Sequence, residues 1–361
     1  MKIAYLFDTY PRSSETFLQR EIDALQQYGF EIDIWALKAK APAKQIDIPP
    51  LLSLGKVFYF GRDGYFEHMG KHWAKHQLGA VDHIHSAWAG HPAQIALAAA
   101  EEKGIPWSFS GHARDIWVRP RNIAAKLDSA AFATSCTHQG AEFLRSQVSA
   151  NPSKVLFAPH GLPLENYPFS PRQNWHSPPR ILAVGRLEEK KGFTYLLDAL
   201  KLLQDQKITL EATLLGKGTF EEQLKTQQKE LNLTNLQMKG AVPQEEVRSQ
   251  MQEADLLVAP CIVGKNGDHD GLPNVLLEAA ALGLPILTTP VGGTGDLINE
   301  ETGWLCRPND AQDLAQKIQQ VFANPQAAFA KAQAARNDVA AHYDVMGNVK
   351  ILARAFEQAQ R

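Results

Sequence analysis

The chain has 361 residues, 44% of them hydrophobic, a length that suits two domains of ordinary size. Its 37 basic and 39 acidic residues leave a formal net charge of −2, and no block gathers Lys and Arg, which argues against a nucleic-acid partner. The cysteines Cys136, Cys261 and Cys306 stand far apart without metal-ligand spacing, the first apolar run stops at Asp8, too short for a signal peptide, and no run approaches a membrane span, so the expected location is the cytoplasm.

In chain order, the apolar run at 3–7 reads as a buried strand. The loop T-Y-P-R-S-S-E follows, then a helix over 15–28 closed by Gly29. Alternation predicts a strand at 31–37, and further strands fall at 57–60, 83–86, 107–110, 132–135 and 155–158, with helical patterns such as 91–103 and 137–148 between them. Residues 160–179 change character: Pro163, Pro168, Pro171, Pro178 and Pro179 crowd a stretch with little periodicity, read as an inter-domain linker. A second series puts strands at 181–184, 210–215, 236–238, 256–259, 286–289 and 303–305. Helices are expected at 193–204, 220–231, 244–253, 273–282 and 311–322, and the tail from 328 is helical by composition. Domain boundaries are expected at 1–165, with a linker at 166–179, a second domain at 180–340 and a final helix at 341–361. Strands alternating with helices predict α/β architecture with a mostly parallel sheet in each half. Such sheets bind ligands at the carboxyl ends of their strands, so the loops after Phe7, Val184, Leu215 and Ala259 are the expected site walls.

The stretch from Asp268 to Gly283, D-H-D-G-L-P-N-V-L-L-E-A-A-A-L-G, organises the second half. It reads as a carboxylate-bearing loop and then a short helix apolar on every side, hence buried, with Pro273 in its first turn and Gly283 and Pro285 as its stop. Its one charge, Glu278, needs a partner. An extended ligand could meet Asp270, then the free amides of Asn274 and Val275 at the helix N-terminus, then Glu278 one turn further along the same face. Hydroxyls, phosphates and a diol in that order are the layout of a nucleotide-sugar. The alternative is that Glu278 pairs with a buried Arg or Lys of the fold.

Other motifs carry two readings each. Arg186 and Lys191, in the loop after the strand at 181–184, can reach one anion from two sides and suit a diphosphate; the bland reading is a solvated charged loop, since Glu188, Glu189 and Lys190 lie between them. His112 ends the strand at 107–110 and can donate to a sugar hydroxyl or a developing charge, or be a satisfied loop histidine. Asp268-His269-Asp270 spells a D-x-D pair able to hold a metal, but the cations and helix amides nearby already suit phosphates. His68, His72 and His76, and His83 with His85, lack a Cys or carboxylate at ligand spacing and read as ordinary surface or loop histidines. Gly216 and Gly218 follow a strand, but Glu221 stands where a dinucleotide fingerprint wants its third glycine; the glycines read as letting a nucleotide base approach the backbone. Lys71, Trp73 and Lys75, with Arg114, Trp117, Arg119 and Arg121, mix cations and indoles, which suits a membrane surface or a lipid-phosphate acceptor as well as solvated faces over buried tryptophans.

Taken together, the Asp270/Glu278 stretch, the loop G-R-L-E-E-K-K-G from Gly185 to Gly192, the run Ser13-Ser14-Glu15-Thr16-Phe17, the run S-F-S-G-H-A-R-D ending at Asp115, and His160-Gly161 resemble the retaining glycosyltransferases of family 4, and within them the bacterial enzymes of exopolysaccharide assembly of the colanic-acid type. The resemblance covers nearly the whole chain, with one departure: the first acid is Asp270 where that family usually has Glu. It implies a GT-B fold, two Rossmann-like doubly wound domains facing a central cleft, with the last helix crossing back to the first domain. It implies transfer of a hexose from a nucleoside-diphosphate sugar to a glycan or lipid-linked acceptor hydroxyl, without metal or other cofactor. Arg186, Lys191, Asn274 and Val275 would hold the diphosphate, Glu278 the ribose, Gly216 and Val242 the base, and His112 and Asp270 the donor sugar, with Ser14 and Glu15 in a donor or acceptor loop. Peripheral contact with the inner face of the membrane fits such an acceptor. The rival readings are a sugar-nucleotide epimerase on the same fold, and a non-catalytic subunit that binds sugar nucleotides.

Overall fold

The computed structural model describes residues 1–12, 15–39, 57–59, 66–118 and 120–360. The chain divides into two compact units, Met1–Leu162 with Asp344–Arg361, and Pro163–Tyr343.

The first unit is built on one parallel sheet. Its described strands are β1 (Lys2–Tyr10), β2 (Glu31–Ala39), β3 (Val57–Tyr59), β4 (His83–Ser86), β5 (Trp107–Gly111), β6 (Phe132–Ser135) and β7 (Val155–Phe157), in the order β3-β2-β1-β4-β5-β6-β7. The helices are α1 (Thr16–Gln27), α2 (Phe66–His76), α3 (His91–Lys103), α4 (Ile123–Ser129) and α5 (His138–Ser146). Ile3 to Phe7 are each at most 1% exposed, because a central parallel strand is covered on both faces. Strand alternation splits them: Ala4 and Leu6 enter a core with Trp35, Trp73 and Ile84, while Ile3, Tyr5 and Phe7 join Leu18, Ile22 and Leu25 of α1 on the other face. The C-terminal helix (Val345–Gln358) lays Val349, Leu352 and Phe356 on that second face, so the chain's last element returns to the first unit as the resemblance implied. Burying Phe356 alone contributes roughly 1.5–3 kcal/mol.

One expectation changes here. His83 and His85 are not surface or loop residues; both are fully buried in β4, where Ser108 Oγ lies 2.7 Å from a ring nitrogen of each. A strand at the sheet centre has no solvent face, and burial lowers the His83 ring to about 3, keeping it neutral. Trp73 is 1% exposed and packs edge-on against Trp35 at 5.0 Å, while the partly buried Trp117 packs on Phe143 at 4.9 Å, as the reading of solvated faces over buried tryptophans expects. Arg119 lies outside the described residues.

The second unit repeats the scheme with β8 (Arg180–Val184), β9 (Glu211–Leu215), β10 (Leu236–Gly240), β11 (Leu256–Ala259), β12 (Ile286–Thr288) and β13 (Trp304–Leu305), all parallel, in the order β10-β9-β8-β11-β12-β13. Its helices are α6 (Phe193–Asp205), α7 (Glu221–Glu230), α8 (Gln244–Glu253), α9 (Asn274–Ala281), α10 (Ala311–Ala323) and α11 (Pro325–His342). Phe193, Leu196, Leu197, Leu200 and Leu203 give α6 one buried stripe at helical spacing. The proline-rich stretch is fastened to this unit: Trp175 Nε1 donates to Phe322 O at 3.1 Å, and the buried carboxylate of Asp255 accepts from the amides of His176 and Arg180 at 3.2 and 2.8 Å. The strand order reverses between β8 and β11, and in a doubly wound sheet the ligand crevice opens at the carboxyl ends of that pair.

Candidate functional site

Both loops at this switch point carry charge. After β8 the chain makes a 3₁₀ turn at Glu189–Lys191 and closes it with Gly192 at φ +64. A Cβ at Gly192 would sit 1.9 Å from Pro260 O, so only glycine lets this loop lie against the one after β11. Ile262 N donates to Lys190 O at 2.9 Å, a second tie between the loops. Asp270 is fixed in the same way: a Cβ at Gly292 would meet Asp270 O at 1.9 Å, and Gly293 N donates to Gly271 O at 2.9 Å.

Across this junction Lys191 Nζ lies 2.6 Å from Asp270 Oδ2, and Lys190 Nζ lies 3.1 Å from Asp268 Oδ1 and 3.3 Å from Asp270 Oδ1. The side chains of Lys191 and Asp270 are 13% and 16% exposed, so their attraction is only partly screened by water. Burial pulls the Asp270 carboxyl up, but Lys191 and then Lys190 outweigh it and hold the group well below the usual carboxylate range. Burial likewise works against the charge on Lys191, and Asp270 overcomes it, so that ammonium titrates above its ordinary value. Burial pushes the nearby Cys261 thiol, 3.9 Å from Asp270 Oδ2, up to about 12, which keeps it protonated.

The structure thus joins two predicted residues, Lys191 and Asp270, and adds Lys190, which in sequence enters only the bland reading of that loop. Lys190 is only 7% exposed. The signal for it was the glycine closing the turn, which bends E-E-K-K inward. Arg186 does not share this cluster; it is more exposed and its guanidinium meets Glu188 at 2.7 Å. Just downstream of Asp270, the helix α9 begins at Asn274, one residue later than expected, because extended Pro273 serves as its cap. The cap makes no side-chain hydrogen bond, and the first-turn amides of Asn274 and Val275 have no intrahelical acceptor. Asn274 Oδ1 is buried without a hydrogen-bond partner among the described residues. Glu278 is 5% exposed inside α9. Gly216, at the carboxyl end of β9 with φ +145, leaves no room for a side chain: a Cβ would lie 1.8 Å from Gly185 O. Val242 is half-buried in the loop after β10.

In the first unit, His112 follows β5 and is 8% exposed, with its ring centroid 4.5 Å from that of Trp88, 5.5 Å from Phe17 and 5.3 Å from His160. Burial lowers it to about 4, so the ring is neutral at pH 7 and can donate from only one nitrogen. Asp115 accepts from Ala89 N at 3.0 Å, which assigns it to holding the loop after β4. Glu15 caps α1 and pairs with Arg12 at 2.8 Å. Ser14 lies outside the described residues. Among the described residues no helix is long and apolar enough to cross a membrane.

Comparison with known proteins adds three findings. Residues 169–338 match the family of glycosyl transferases group 1. An amylovoran biosynthesis glycosyltransferase, AmsK, of Erwinia amylovora is 37% identical over 164 residues, 45% of this chain and 40% of the relative, and a glycogen synthase of Mycobacterium tuberculosis is 28% identical over 78% of this chain and 69% of its own. The chain spans about two fifths of the length of the first curated relatives it matches. The Anabaena protein HepE, solved in complex with UDP and glucose, superposes with a TM-score of 0.80 at 18% identity, covering 99% of this chain and 100% of its own.

Proposed function

From a second unit that carries a group 1 glycosyltransferase domain, on a chain with the GT-B fold, we propose that the protein moves a hexose from a nucleoside-diphosphate sugar to an acceptor hydroxyl of a glycan or lipid-linked glycan. The observation that carries this reading is the buried Lys190/Lys191/Asp270 cluster at the sheet's switch point, directly ahead of the amide-bearing N-terminus of α9. A diphosphate meeting Lys191 and Arg186 gains charge as it leaves, so cations held in advance stabilise the transition state more than the ground state. Glu278 takes the ribose diol, Gly216 and Val242 border the base, Asp270 orients the sugar and Lys191 together, and neutral His112 with the Ser14–Glu15 segment serves the sugar or acceptor. The retaining course, in which the leaving phosphate helps deprotonate the acceptor, belongs to the same proposal, as does action at the inner face of the membrane. The UDP and glucose held by HepE, and the amylovoran role in the name of AmsK, support the donor class and the glycan acceptor.

Glu278→Gln keeps the shape and loses charge-assisted hydrogen bonds worth about 1.5–3 kcal/mol. Titration calorimetry is therefore expected to show donor affinity reduced about 10- to 150-fold with the fold retained; a folded variant with unchanged affinity would remove Glu278 from the ribose site.

No metal is assigned to the reaction. Asp268 and Asp270 already face two ammonium groups, which supports phosphate neutralisation by the chain itself. EDTA is expected to leave most of the transfer activity intact; loss on chelation, restored by Mn²⁺, would transfer the role to the D-x-D pair.

A further inference from the structure

Three strand ends in the first unit bring together two imidazoles and a thiol, and the proposed sugar transfer uses only one of the three, His112. His112 follows β5, Cys136 follows β6, and His160 lies beyond β7. These are adjacent parallel strands with Gly111 paired to Ser135 and Ser135 paired to Phe157, so their carboxyl ends lie side by side. The positions are pinned by backbone and side-chain bonds: Ser135 Oγ donates to Gly111 O at 3.0 Å and Ala158 N to Ser135 O at 2.9 Å.

From His112, Cys136 and His160, one ligand atom each lies within 4.8 Å of the others. We propose that these three residues form a binding site for a thiophilic divalent cation, Zn²⁺ by the softness and number of its donors. Two imidazoles and one thiolate are a three-ligand set that leaves a fourth tetrahedral position for water. Zn–N and Zn–S bonds of ~2.1 and ~2.3 Å place ligand atoms roughly 3.4 Å apart, so the cluster needs to tighten by about 1.4 Å at most. Rotation of a side chain supplies that distance. Both Nδ1 atoms, of His112 and His160, are buried without a hydrogen-bond partner among the described residues, so turning either ring breaks no bond at that atom. Burial lowers both rings, with His112 adding to the effect on His160, and so keeps them in the neutral form that binds metal. On binding, the Cys136 Sγ–H bond gives way to a metal–sulfur bond and the proton passes to solvent. His160 and Cys136 are only part-buried, which leaves the ion a route in. Phe17, with its ring centroid 4.1 Å from that of His160, walls one side.

The site shares His112 with the sugar-transfer reading but does not rest on it, and its test needs no activity. Reduced, EDTA-treated full chain is titrated with Co²⁺ alone and followed by absorption. The expected result is one equivalent bound, with tetrahedral visible bands and a sulfur-to-cobalt charge-transfer band that Zn²⁺ abolishes by displacement. Cys136→Ser, which keeps the side chain's shape, should lose the charge-transfer band and weaken Zn²⁺ by more than the roughly 10- to 100-fold that loss of an outer-shell partner costs. Cys261→Ser and Cys306→Ser should keep the band. His160→Ala, checked for folding by circular dichroism, should shift the visible bands. Absence of the charge-transfer band in the wild type, or its survival in Cys136→Ser, would overturn the proposal. Under the sugar-transfer reading bound Zn²⁺ would take His112 out of use and inhibit; a cobalt spectrum without inhibition would leave the site standing and count against His112 in the reaction.

Discussion

Replacing Lys191 by alanine is expected to lower turnover at saturating donor by about 10²–10³, the cost of removing one preorganised charge from a developing oxyanion. The size follows from where the ammonium sits. Its side chain is 13% exposed and held 2.6 Å from Asp270, so it reaches the transition state without paying for desolvation or reorientation at that moment. Because the leaving diphosphate gains charge as the bond breaks, the loss should fall more on kcat than on donor affinity. Lys191→Arg should recover little, since a planar fork does not fit the pocket made for a compact ammonium beside Gly185, whose added Cβ would already lie 3.3 Å from Lys191 Cε. Steady-state kinetics on the folded variant checks this. A change of less than about tenfold in kcat would mean that Lys191 serves only the ion cluster.

Removing Asp270 should instead be read in stability. Asp270→Ala leaves the Lys191 ammonium without its partner in a largely buried setting, a change that costs about 3–5 kcal/mol in comparable pairs. Lys190 keeps Asp268 at 3.1 Å, which places the expected loss at the lower end, about 3 kcal/mol. The pH dependence has a definite sign. Asp270 titrates below its ordinary value in the folded chain, so the stability it contributes is fully present above the unfolded carboxyl value near ~3.9 and is lost as pH falls below it. Lys191 titrates above its ordinary value, so its contribution is present below ~10.4 and is lost as pH rises through the folded value. Urea denaturation followed over pH should therefore show an acid limb in the wild type that flattens in Asp270→Ala. A variant within about 1 kcal/mol of the wild type at pH 7 would show that solvent reaches Lys191 freely.

Much of the fold could be read before the structure because a parallel sheet writes itself plainly. Ile3 to Phe7, Ile181 to Val184 and Leu256 to Ala259 are continuous apolar runs, since both faces of each strand are covered. The short helix α9 was equally legible, apolar all round with a single carboxylate and a glycine stop. What could not be read was the direction in which some charged groups and histidines turn. E-E-K-K looks like a solvated loop until Gly192 folds it against Pro260 and buries Lys190. Trp73 follows one of the two readings open for its stretch: helical geometry sends it inward against Trp35 while Lys75 pairs with Glu102 on the outside. His83 and His85 flank Ile84 like exposed strand residues, but the hydroxyls of Ser108 and Ser110 make them members of the core. The meeting of His112, Cys136 and His160 depends on strand order, which spacing along the chain does not encode.

Binding of a nucleoside-diphosphate sugar at the switch point of the second unit is measured by titration calorimetry of the purified chain against UDP-, GDP-, ADP- and dTDP-sugars, in parallel with Lys191→Ala and Glu278→Gln. Saturable one-to-one binding of at least one donor is expected in EDTA-containing buffer, weakened in Glu278→Gln and accompanied by release of the nucleoside diphosphate once acceptor is supplied. Failure of the folded wild-type chain to bind any of these donors, or binding that neither substitution alters, would contradict it.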